Sequence, residues 1–553
     1  MPQSNEEQNT VILQPQPQSR KYEVLFTGID SGQIKIPMFQ RDFVWTKEQT
    51  AKLIDSIIKG YPIGTFILWK TREELRSIRN IGNIELPEAP KGDAVQYVLD
   101  GQQRITSLYA IRKGIRITRE GEEIDYRQIS INLNMNPEDD DQIVSVDPPE
   151  GAPSISVHRL LTGSMTELVR EYSDHLEKID SYRSRLTGYD FSTVIIENYP
   201  LDIACEVFTR INTGGTELTL FEIMVAKTYD REKGFDLAMQ YKSLINSNDN
   251  GKDLEDANFD TLPASTILQC VSAYKKRQVR RKDILKISRS EFVEAWPYVT
   301  DGLFMAVDFV RSYLRIPVSQ LLPYNALLVP LTYFFNKKYN KPATPHQKEL
   351  LTQYFWWASL SNRFSSGSEN KIAQDVERMD KILSDEVPSY RGEEVQLSLD
   401  NLRWHPFSTS DSFCKAILCL YAYFQPHSFH DDGLVTLDNS WLKSTASKNY
   451  HHFFPRSYLK SQNIPDWQAN VILNITIVDD SLNKRTIKAK PPSEYMEQFM
   501  KSNNDLEKTM STHMIDDLDK FGVWDDDYEK FIDARGNRVV EELNSRLYPD
   551  SNT

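Results

Sequence analysis

The chain has 553 residues, 40% of them apolar, and a formal net charge of −14. This length and apolar content predict two to four domains that fold without disulfide staples. The negative charge argues against a protein that coats DNA nonspecifically, because two polyanions repel each other. Since no apolar run reaches the roughly eighteen residues of a membrane helix and no signal peptide opens the sequence, we expect a cytoplasmic protein with no membrane partner.

The N-terminal region begins with a segment that predicts no stable structure, followed by a clear helix signal. Residues 1–20 contain the run QPQPQ and are predicted to form a disordered arm. Thr46 and Gln49 have the spacing of a capping box, which starts a helix. One face of that helix is apolar and ends at Gly60; it carries Leu53, Ile54, Ile57 and Ile58.

A strand is predicted at 95–99, followed by the sequence DGQQR and a helix that runs to Lys113. A loop between a strand and a helix presents backbone N–H groups and the positive end of the helix dipole, which suits phosphate. Arg104 offers a fork for phosphate oxygens, and Asp100 could hold a metal or orient water. Taken alone, the segment favours a tight structural turn over a phosphate site.

Three segments in a fixed order carry a family resemblance. They are IPMFQRDFVW at 36–45, DGQQR at 100–104 and FTRINTGGTEL at 208–218. Over residues 22–230 the chain resembles the N-terminal domain of GmrSD-type proteins, a ParB/sulfiredoxin-like fold associated with nucleoside triphosphate hydrolysis. The sequence contains no GxxxxGK[S/T], which excludes a P-loop as the nucleotide site.

This resemblance implies a nucleotide site and its members. The catalytic residues would be Asp100 and Arg104. The residues that bind the nucleotide would be Gln40, Arg41, Asp100, Gly101, Gln102, Gln103, Arg104, Arg210 and Asn212. The choice among GTP, ATP, CTP and UTP stays open.

The middle of the chain is less informative. Residues 246–260 are rich in Asn, Asp and Gly and predict a linker. Apolar periodicity at 303–314 and 354–360 predicts helices, with Trp356 and Trp357 in a core. The basic run at 275–282 indicates either a DNA contact or a solvated face. The segment RFSSGSENK at 363–371 resembles a recurrent segment of single-chain relatives, and its role cannot be derived from the sequence.

The C-terminal region carries YHHFFP at 450–455 and NITIVDDSLN at 474–483, which resemble the core of an HNH (His-Me finger) nuclease. Phosphodiester hydrolysis needs a base for the attacking water and a cation for the developing charge, and imidazole suits the first task near neutral pH. The resemblance implies that His452 is the general base and that Asn474 pins the loop. His451 and Asn483 would bind Mg²⁺ or Mn²⁺. Many relatives have Asp or Glu where His451 stands, and imidazole could favour a softer cation.

These observations predict an α+β multidomain protein. We expect a ParB-like nucleotide domain at 21–245, a helical domain at 261–400 and an HNH (ββα-metal) nuclease domain at 401–553. The expected function is that of a nucleotide-regulated DNA endonuclease, similar to GmrSD-family type IV restriction enzymes, which cuts foreign, modified phage DNA in bacterial defence.

Three further expectations accompany this reading. A homodimer would allow both strands of the DNA to be cut. One alternative function is a nucleotide-gated DNA-binding switch with an inactive HNH domain. Another is an interaction subunit of a defence complex.

Overall fold

The structure is a computed structural model, and it divides the chain into two compact units, Met1–Gly234 and Phe235–Thr553. Among its described residues, no helix is both long and apolar enough to cross a membrane. The residues that it describes are 14–38, 43–73, 75–77, 80–81, 84–89, 92–119, 122–138, 141–146, 148, 151–211, 219–230, 232–246, 252–339, 341–393, 395, 397–439, 450–478, 487 and 489–548.

The N-terminal unit is built on a mixed five-stranded sheet. Its strands lie in the spatial order Gln16–Lys21, Asp190–Glu197, Phe66–Thr71, Val95–Asp100 and Ile34–Lys35. Neighbouring pairs along this order are antiparallel, parallel, antiparallel and parallel. The smaller strands are Asn80–Ile81, Ile84–Glu85, Arg116–Arg119, Glu122–Asp125, Ser130–Asn132, Val144–Ser145 and Ser154–Ser156. The helices are Tyr22–Asp30, Lys47–Ile58, Gln102–Lys113, Val157–Thr162, Met165–Glu171, Leu176–Thr187, Leu201–Ile211 and Leu220–Thr228, with short 3₁₀ turns at Tyr126–Gln128 and Ser173–His175.

Local sequence signals account for the elements around the sheet. The helix Lys47–Ile58 starts at the predicted capping box, in which the Gln49 N–H donates to Thr46 Oγ1 at 3.2 Å and the Thr46 N–H donates to Gln49 Oε1 at 2.9 Å. All four apolar residues predicted for its inner face are buried. The strand Val95–Asp100 and the helix that ends at Lys113 are likewise confirmed.

The predicted disordered arm at 1–20 needs correction from Gln16 onward. Residues Gln16–Lys21 form an edge strand antiparallel to Asp190–Glu197, with Pro17 opposite Val194. An edge strand pairs on one side only, so a proline there can lack its N–H without breaking the ladder. Lys21 Nζ also lies 2.7 Å from Asp190 Oδ2. Residues 1–13 lie outside the described residues.

The C-terminal unit is mainly helical, and its described residues include a two-stranded ribbon. The ribbon pairs Tyr450–His452 with Ile475–Ile477. The helices are Leu237–Ile245, Ala264–Lys276, Arg281–Leu285, Arg289–Asp308, Leu328–Lys337, Pro345–Leu360, Ser368–Leu383, Leu399–Leu402, Ser412–Tyr423, Arg456–Ser461, Asp466–Ala469, Pro492–Met500, Leu506–Ser511 and Tyr528–Leu547. Short 3₁₀ turns lie at Ser319–Leu321, Asn325–Leu327 and Ile472–Asn474, and a π turn lies at Phe309–Tyr313.

The predicted boundary between 261–400 and 401–553 does not coincide with a break between compact units. The helix Pro345–Leu360 packs against both Ser412–Tyr423 and Tyr528–Leu547, and Gln353 Nε2 donates to Leu547 O at 2.8 Å. The predicted linker at 246–260 also contributes to this core, because Leu254 and Phe259 are fully buried. Shared apolar faces join these regions, and composition alone does not reveal such sharing.

A buried ion network explains the RFSSGSENK segment. Arg363 is 3% exposed, and its Nε lies 3.0 Å from both carboxylate oxygens of Asp375. Its Nη1 donates to Glu393 Oε1 at 2.7 Å, and Arg378 binds the same two carboxylates. Both guanidinium groups stack on the ring of Trp357. Since a buried charge is tolerated when it is paired and hydrogen-bonded, the segment has a structural role in this helical region.

Candidate functional site

The two HNH-like segments are adjacent in the structure. The strand Tyr450–His452 runs antiparallel to Ile475–Ile477, with His451 opposite Thr476 and His452 opposite Ile475. Just beyond the strand, the Phe453 N–H donates to Asn474 O at 2.8 Å. The predicted motif therefore forms a ribbon, and the loop that follows His452 begins at one end of it.

Asn474 holds that loop through its side chain. It is fully buried, and its Oδ1 accepts from the Phe454 N–H at 2.8 Å. Its Nδ2 donates to Phe454 O at 3.0 Å and to Ala469 O at 2.9 Å. Because the amide satisfies both backbone polar groups of Phe454, its geometry is that of a residue that pins the loop after His452.

His452 is held by a residue that the sequence analysis did not identify. Its Nε2 lies 2.9 Å from Asn470 Oδ1. Asn470 Nδ2 donates to Phe407 O at 3.4 Å, and a carbonyl can only accept, so Oδ1 is the atom that faces the imidazole. His452 Nε2 must then carry the proton, which leaves Nδ1 as the basic nitrogen. Burial lowers the pKa of His452, against a smaller raising effect of the bond to Asn470. The ring is therefore neutral at pH 7, as a general base requires.

The structure describes one of the two predicted metal ligands. His451 is 3% exposed on the ribbon, and Asn483 lies outside the described residues. Within the part of the chain that the structure describes, one group of three His, Cys, Asp or Glu side chains could hold a metal, and it consists of His405, Asp411 and Cys414. That group does not include His451, so a cation at the ribbon would need Asn483, water or the DNA phosphate as further ligands.

The His405 group is better described as a hydrogen-bonded cluster. His405 Nε2 lies 2.6 Å from Asp411 Oδ2, which is a hydrogen-bond distance. The Cys414 thiol donates to Pro406 O at 3.3 Å, and burial raises its pKa to about 12. Because a metal ligates the thiolate, a cation at this position would have to displace the proton of the Cys414 thiol.

A buried arginine supports the ribbon from the C-terminal helix. Arg535 is fully buried, and its Nη1 donates to Leu473 O and to Ile475 O, both at 2.7 Å. These carbonyls flank Asn474. Its Nη2 donates to His513 O at 3.0 Å. The available sequence signal was its spacing, since Arg535 occupies the apolar stripe of this helix between Phe531 and Val539.

In the N-terminal unit, the DGQQR loop turns its arginine inward. Arg104 Nη1 donates to Ile63 O at 2.7 Å, and Nη2 donates to Thr65 O at 3.1 Å and to Asp100 Oδ2 at 3.0 Å. Gly101 has φ of 90°, and a Cβ there would lie 2.3 Å from the ring of Phe66. Only glycine fits this position, so the loop is a tight turn fastened by Arg104.

The neighbouring glutamine joins two of the resemblance segments. Gln103 is 6% exposed, and its Oε1 accepts from the N–H groups of Val44 at 2.9 Å and Trp45 at 3.3 Å. The end of IPMFQRDFVW thus lies against the DGQQR loop. Gln102 is buried beside Gln103.

The remaining predicted nucleotide residues are not brought to this loop by the described contacts. Arg210 is 77% exposed and pairs with Glu206 on its own helix at 2.6 Å. Gln40, Arg41 and Asn212 lie outside the described residues.

Comparison with known proteins adds two findings. The family described as GmrSD restriction endonuclease, N-terminal domain, matches residues 22–229. An uncharacterised protein of Methanocaldococcus jannaschii, MJ0686, is 22% identical over 576 aligned positions, which cover 93% of this chain and 96% of that protein. The similarity to MJ0686 therefore extends over both compact units.

Proposed function

We propose that this chain, which belongs to the GmrSD restriction endonuclease family through residues 22–229, cuts DNA with an HNH site in its C-terminal unit. The family implies a hydrolase of defence with DNA as its partner. The observation that carries the HNH assignment is the Tyr450–His452 ribbon, in which Asn474 fixes the loop after His452. The proposed base, one proposed metal ligand and the residue that fixes the loop thereby lie within one small element.

In the proposed reaction, His452 takes the proton of the attacking water at Nδ1. Asn470 keeps the other ring proton on Nε2, so the base nitrogen is always the one that faces away from Asn470. Neutral imidazole is available at pH 7, because burial lowers the pKa of His452. His451 and Asn483 would hold a divalent cation, which supplies charge stabilisation at the phosphate.

We further propose that the N-terminal unit binds a nucleoside triphosphate that regulates cleavage, and that the target is modified phage DNA. In this proposal, the backbone N–H groups at the start of the helix Gln102–Lys113 receive phosphate. The cationic side chain that meets the phosphate is Arg41, since Arg104 is engaged with Ile63, Thr65 and Asp100. The residue whose replacement tests the nucleotide site is therefore Arg41.

Cleavage is tested with plasmid and phage DNA, modified and unmodified, in Mg²⁺ or Mn²⁺ and with each nucleotide in turn. His452→Ala should reduce the cleavage rate by about 10²- to 10⁴-fold, the usual contribution of a general base. His346→Ala is the control, because His346 is half-exposed on another helix of the same unit. Cleavage that survives in His452→Ala would refute the HNH assignment.

The nucleotide proposal is tested separately by binding. Arg41→Ala should weaken nucleotide binding, while Arg170→Ala, an exposed arginine of the helix Met165–Glu171, should not. Nucleotide turnover should persist in His452→Ala, because the two sites lie in different compact units. DNA that is bound but not cut under every condition would instead favour a DNA-binding switch. Cutting that starts only when a second protein is added would favour an interaction subunit.

A further inference from the structure

A cavity of about 580 Å³ in the C-terminal unit lies apart from the residues discussed above. One wall is the turn Arg311–Pro317, and another is the end of the helix Ser412–Tyr423 with Gln425. The segment Leu434–Leu437 and Asn258 complete it. The polar side chains in its lining are Asn258, Arg311, Ser312, Arg315, Gln425 and Thr436.

The charge of this cavity is opposite to that of the whole chain. Its lining contains two arginines and no Asp or Glu, in a protein whose net charge is −14. No ion pair or side-chain hydrogen bond joins Arg311 to another described residue, whereas Arg315 stacks on the ring of Tyr423 at 5.2 Å. The neighbouring carboxylate of Asp308 accepts from the Ser312 hydroxyl at 3.0 Å. The Arg311 guanidinium thus keeps its donors for an external anion, whereas Arg315 also lines a neighbouring cavity with Tyr423, Glu349 and Glu542.

The backbone around the cavity is held in uncommon conformations. Three lining residues other than glycine have positive φ, which are Asn258 at 57°, Arg315 at 54° and Gln425 at 52°. Arg311 lies in the π turn Phe309–Tyr313. Left-handed non-glycine residues cost free energy, and they and π turns are both concentrated at functional sites. The fold maintains this arrangement, for example through the bond from the Ile316 N–H to Val310 O at 3.1 Å.

We propose that this cavity binds phosphate groups of the DNA backbone, as a second DNA contact of the unit that carries the HNH ribbon. The inference rests on the proposed function. Guanidinium forks match phosphate oxygens, and a lining without aromatic residues offers no surface on which a base could stack. The contact is therefore with the sugar–phosphate chain and is independent of base sequence.

The helix Ser412–Tyr423 connects this cavity to the ribbon. Ala422 lines the cavity. Its neighbour Tyr421 donates through its hydroxyl to Ile472 O at 3.4 Å, in the segment that leads into the strand Ile475–Ile477. Neighbouring residues of one helix therefore contact the cavity and the segment that precedes the ribbon strand.

The test measures binding of a duplex of about 30 base pairs by fluorescence anisotropy over a range of salt concentrations, in EDTA so that no cleavage occurs. Each phosphate contact contributes about 0.9 to the slope of log K against log salt. The double variant Arg311→Gln, Arg315→Gln should therefore have a slope shallower by about 2, and Arg311→Gln alone by about 1. The single variant keeps the test valid if replacing the left-handed Arg315 impairs folding, which thermal unfolding reports.

The control is Lys341→Gln, Arg391→Gln, which removes the same charge from two exposed residues of the same unit. Its salt slope should match that of the wild type; equal slopes in both double variants would overturn the cavity assignment. Stabilisation of the wild type by pyrophosphate that is lost in Arg311→Gln, with an unchanged DNA slope, would assign the cavity to a free phosphate and overturn the DNA assignment. If the wild type binds no DNA at all, the proposed function fails, and not merely this site.

Discussion

At the scale of single residues, the orientation of Asn470 determines how His452 can act. Asn470 Nδ2 donates to Phe407 O, so Asn470 Oδ1 is the acceptor that faces His452 Nε2. A hydrogen bond that selects one tautomer keeps the other ring nitrogen unprotonated and fixes the plane of the ring. We therefore regard Asn470 as a positioning residue for the proposed base.

Replacing Asn470 should separate this positioning role from simple packing. Asn470→Ala removes the acceptor, and we expect kcat to fall by roughly 10- to 100-fold with a smaller change in KM, as for other residues that orient a catalytic imidazole. Asn470→Asp still presents an oxygen to Nε2 and should retain more activity than Asn470→Ala. Steady-state cleavage kinetics would check both variants; equal losses in Ala and Asp would contradict the tautomer argument.

Sequence patterns point to candidate site residues that belong to a motif, but they do not reveal residues whose contacts depend on the tertiary fold. His452 and Asn474 belong to a motif, and the structure pairs their segments as expected. Asn470 could not be found, because its partner lies eighteen residues away and its orientation depends on Phe407. Arg104 was identified as important, but its inward orientation depends on the carbonyls of Ile63 and Thr65.

At the scale of elements, predictions from local signals succeeded and predictions from composition did not. The capping box at Thr46 marks a helix start because its hydrogen bonds form within four residues. The predictions of a disordered arm and of a linker were wrong for the residues that pair with, or are buried against, distant parts of the chain. Gln16–Lys21 gains a partner strand at Asp190–Glu197, and Leu254 is fully buried in the C-terminal unit.

The segment that follows the helix Leu506–Ser511 carries a pH-sensitive contact. His513 is 2% exposed, and its Nε2 lies 2.7 Å from His427 O. Burial lowers the pKa of His513 to about 3. In the unfolded chain the pKa of His513 is about 6.5, so between pH 3 and pH 6.5 the unfolded state binds a proton that the folded state does not bind. Stability from this residue is complete above about pH 6.5 and is lost progressively as the pH falls toward 3.

We expect the C-terminal unit to lose up to about 1.4 kcal/mol of unfolding free energy for each pH unit below 6.5 from His513. Urea denaturation between pH 5 and pH 7 measures this effect together with that of His452, whose pKa burial also lowers, so the share of His513 is read from a variant. His513→Gln cannot titrate and should flatten the dependence, although it lowers stability at pH 7. His346→Gln, at a half-exposed position, is the matched control for loss of a histidine; a slope in His513→Gln as steep as that of the wild type would exclude His513 as a source.

At the scale of the whole molecule, each compact unit contains an arginine that fastens backbone carbonyls. Arg104 holds the carbonyls of Ile63 and Thr65 in the N-terminal unit. Arg535 holds those of Leu473, Ile475 and His513 in the C-terminal unit. Replacing a buried charge by an apolar side chain removes a desolvation cost, but each carbonyl left unpaired costs about 1–3 kcal/mol. With two or three carbonyls involved, the loss should outweigh the gain.

Calorimetry should therefore show two unfolding transitions that respond to different variants. Arg104→Met should lower only the transition of Met1–Gly234, and Arg535→Met only that of Phe235–Thr553, because each unit has its own internal contacts. A loss of about 3 kcal/mol corresponds to a shift of roughly 6–12 °C for the N-terminal unit and to a smaller shift for the longer C-terminal unit. Acidification from pH 7 to pH 5 should move the transition that Arg535→Met identifies, since His513 lies in the same unit. A single transition lowered by both variants would show that the two units unfold cooperatively.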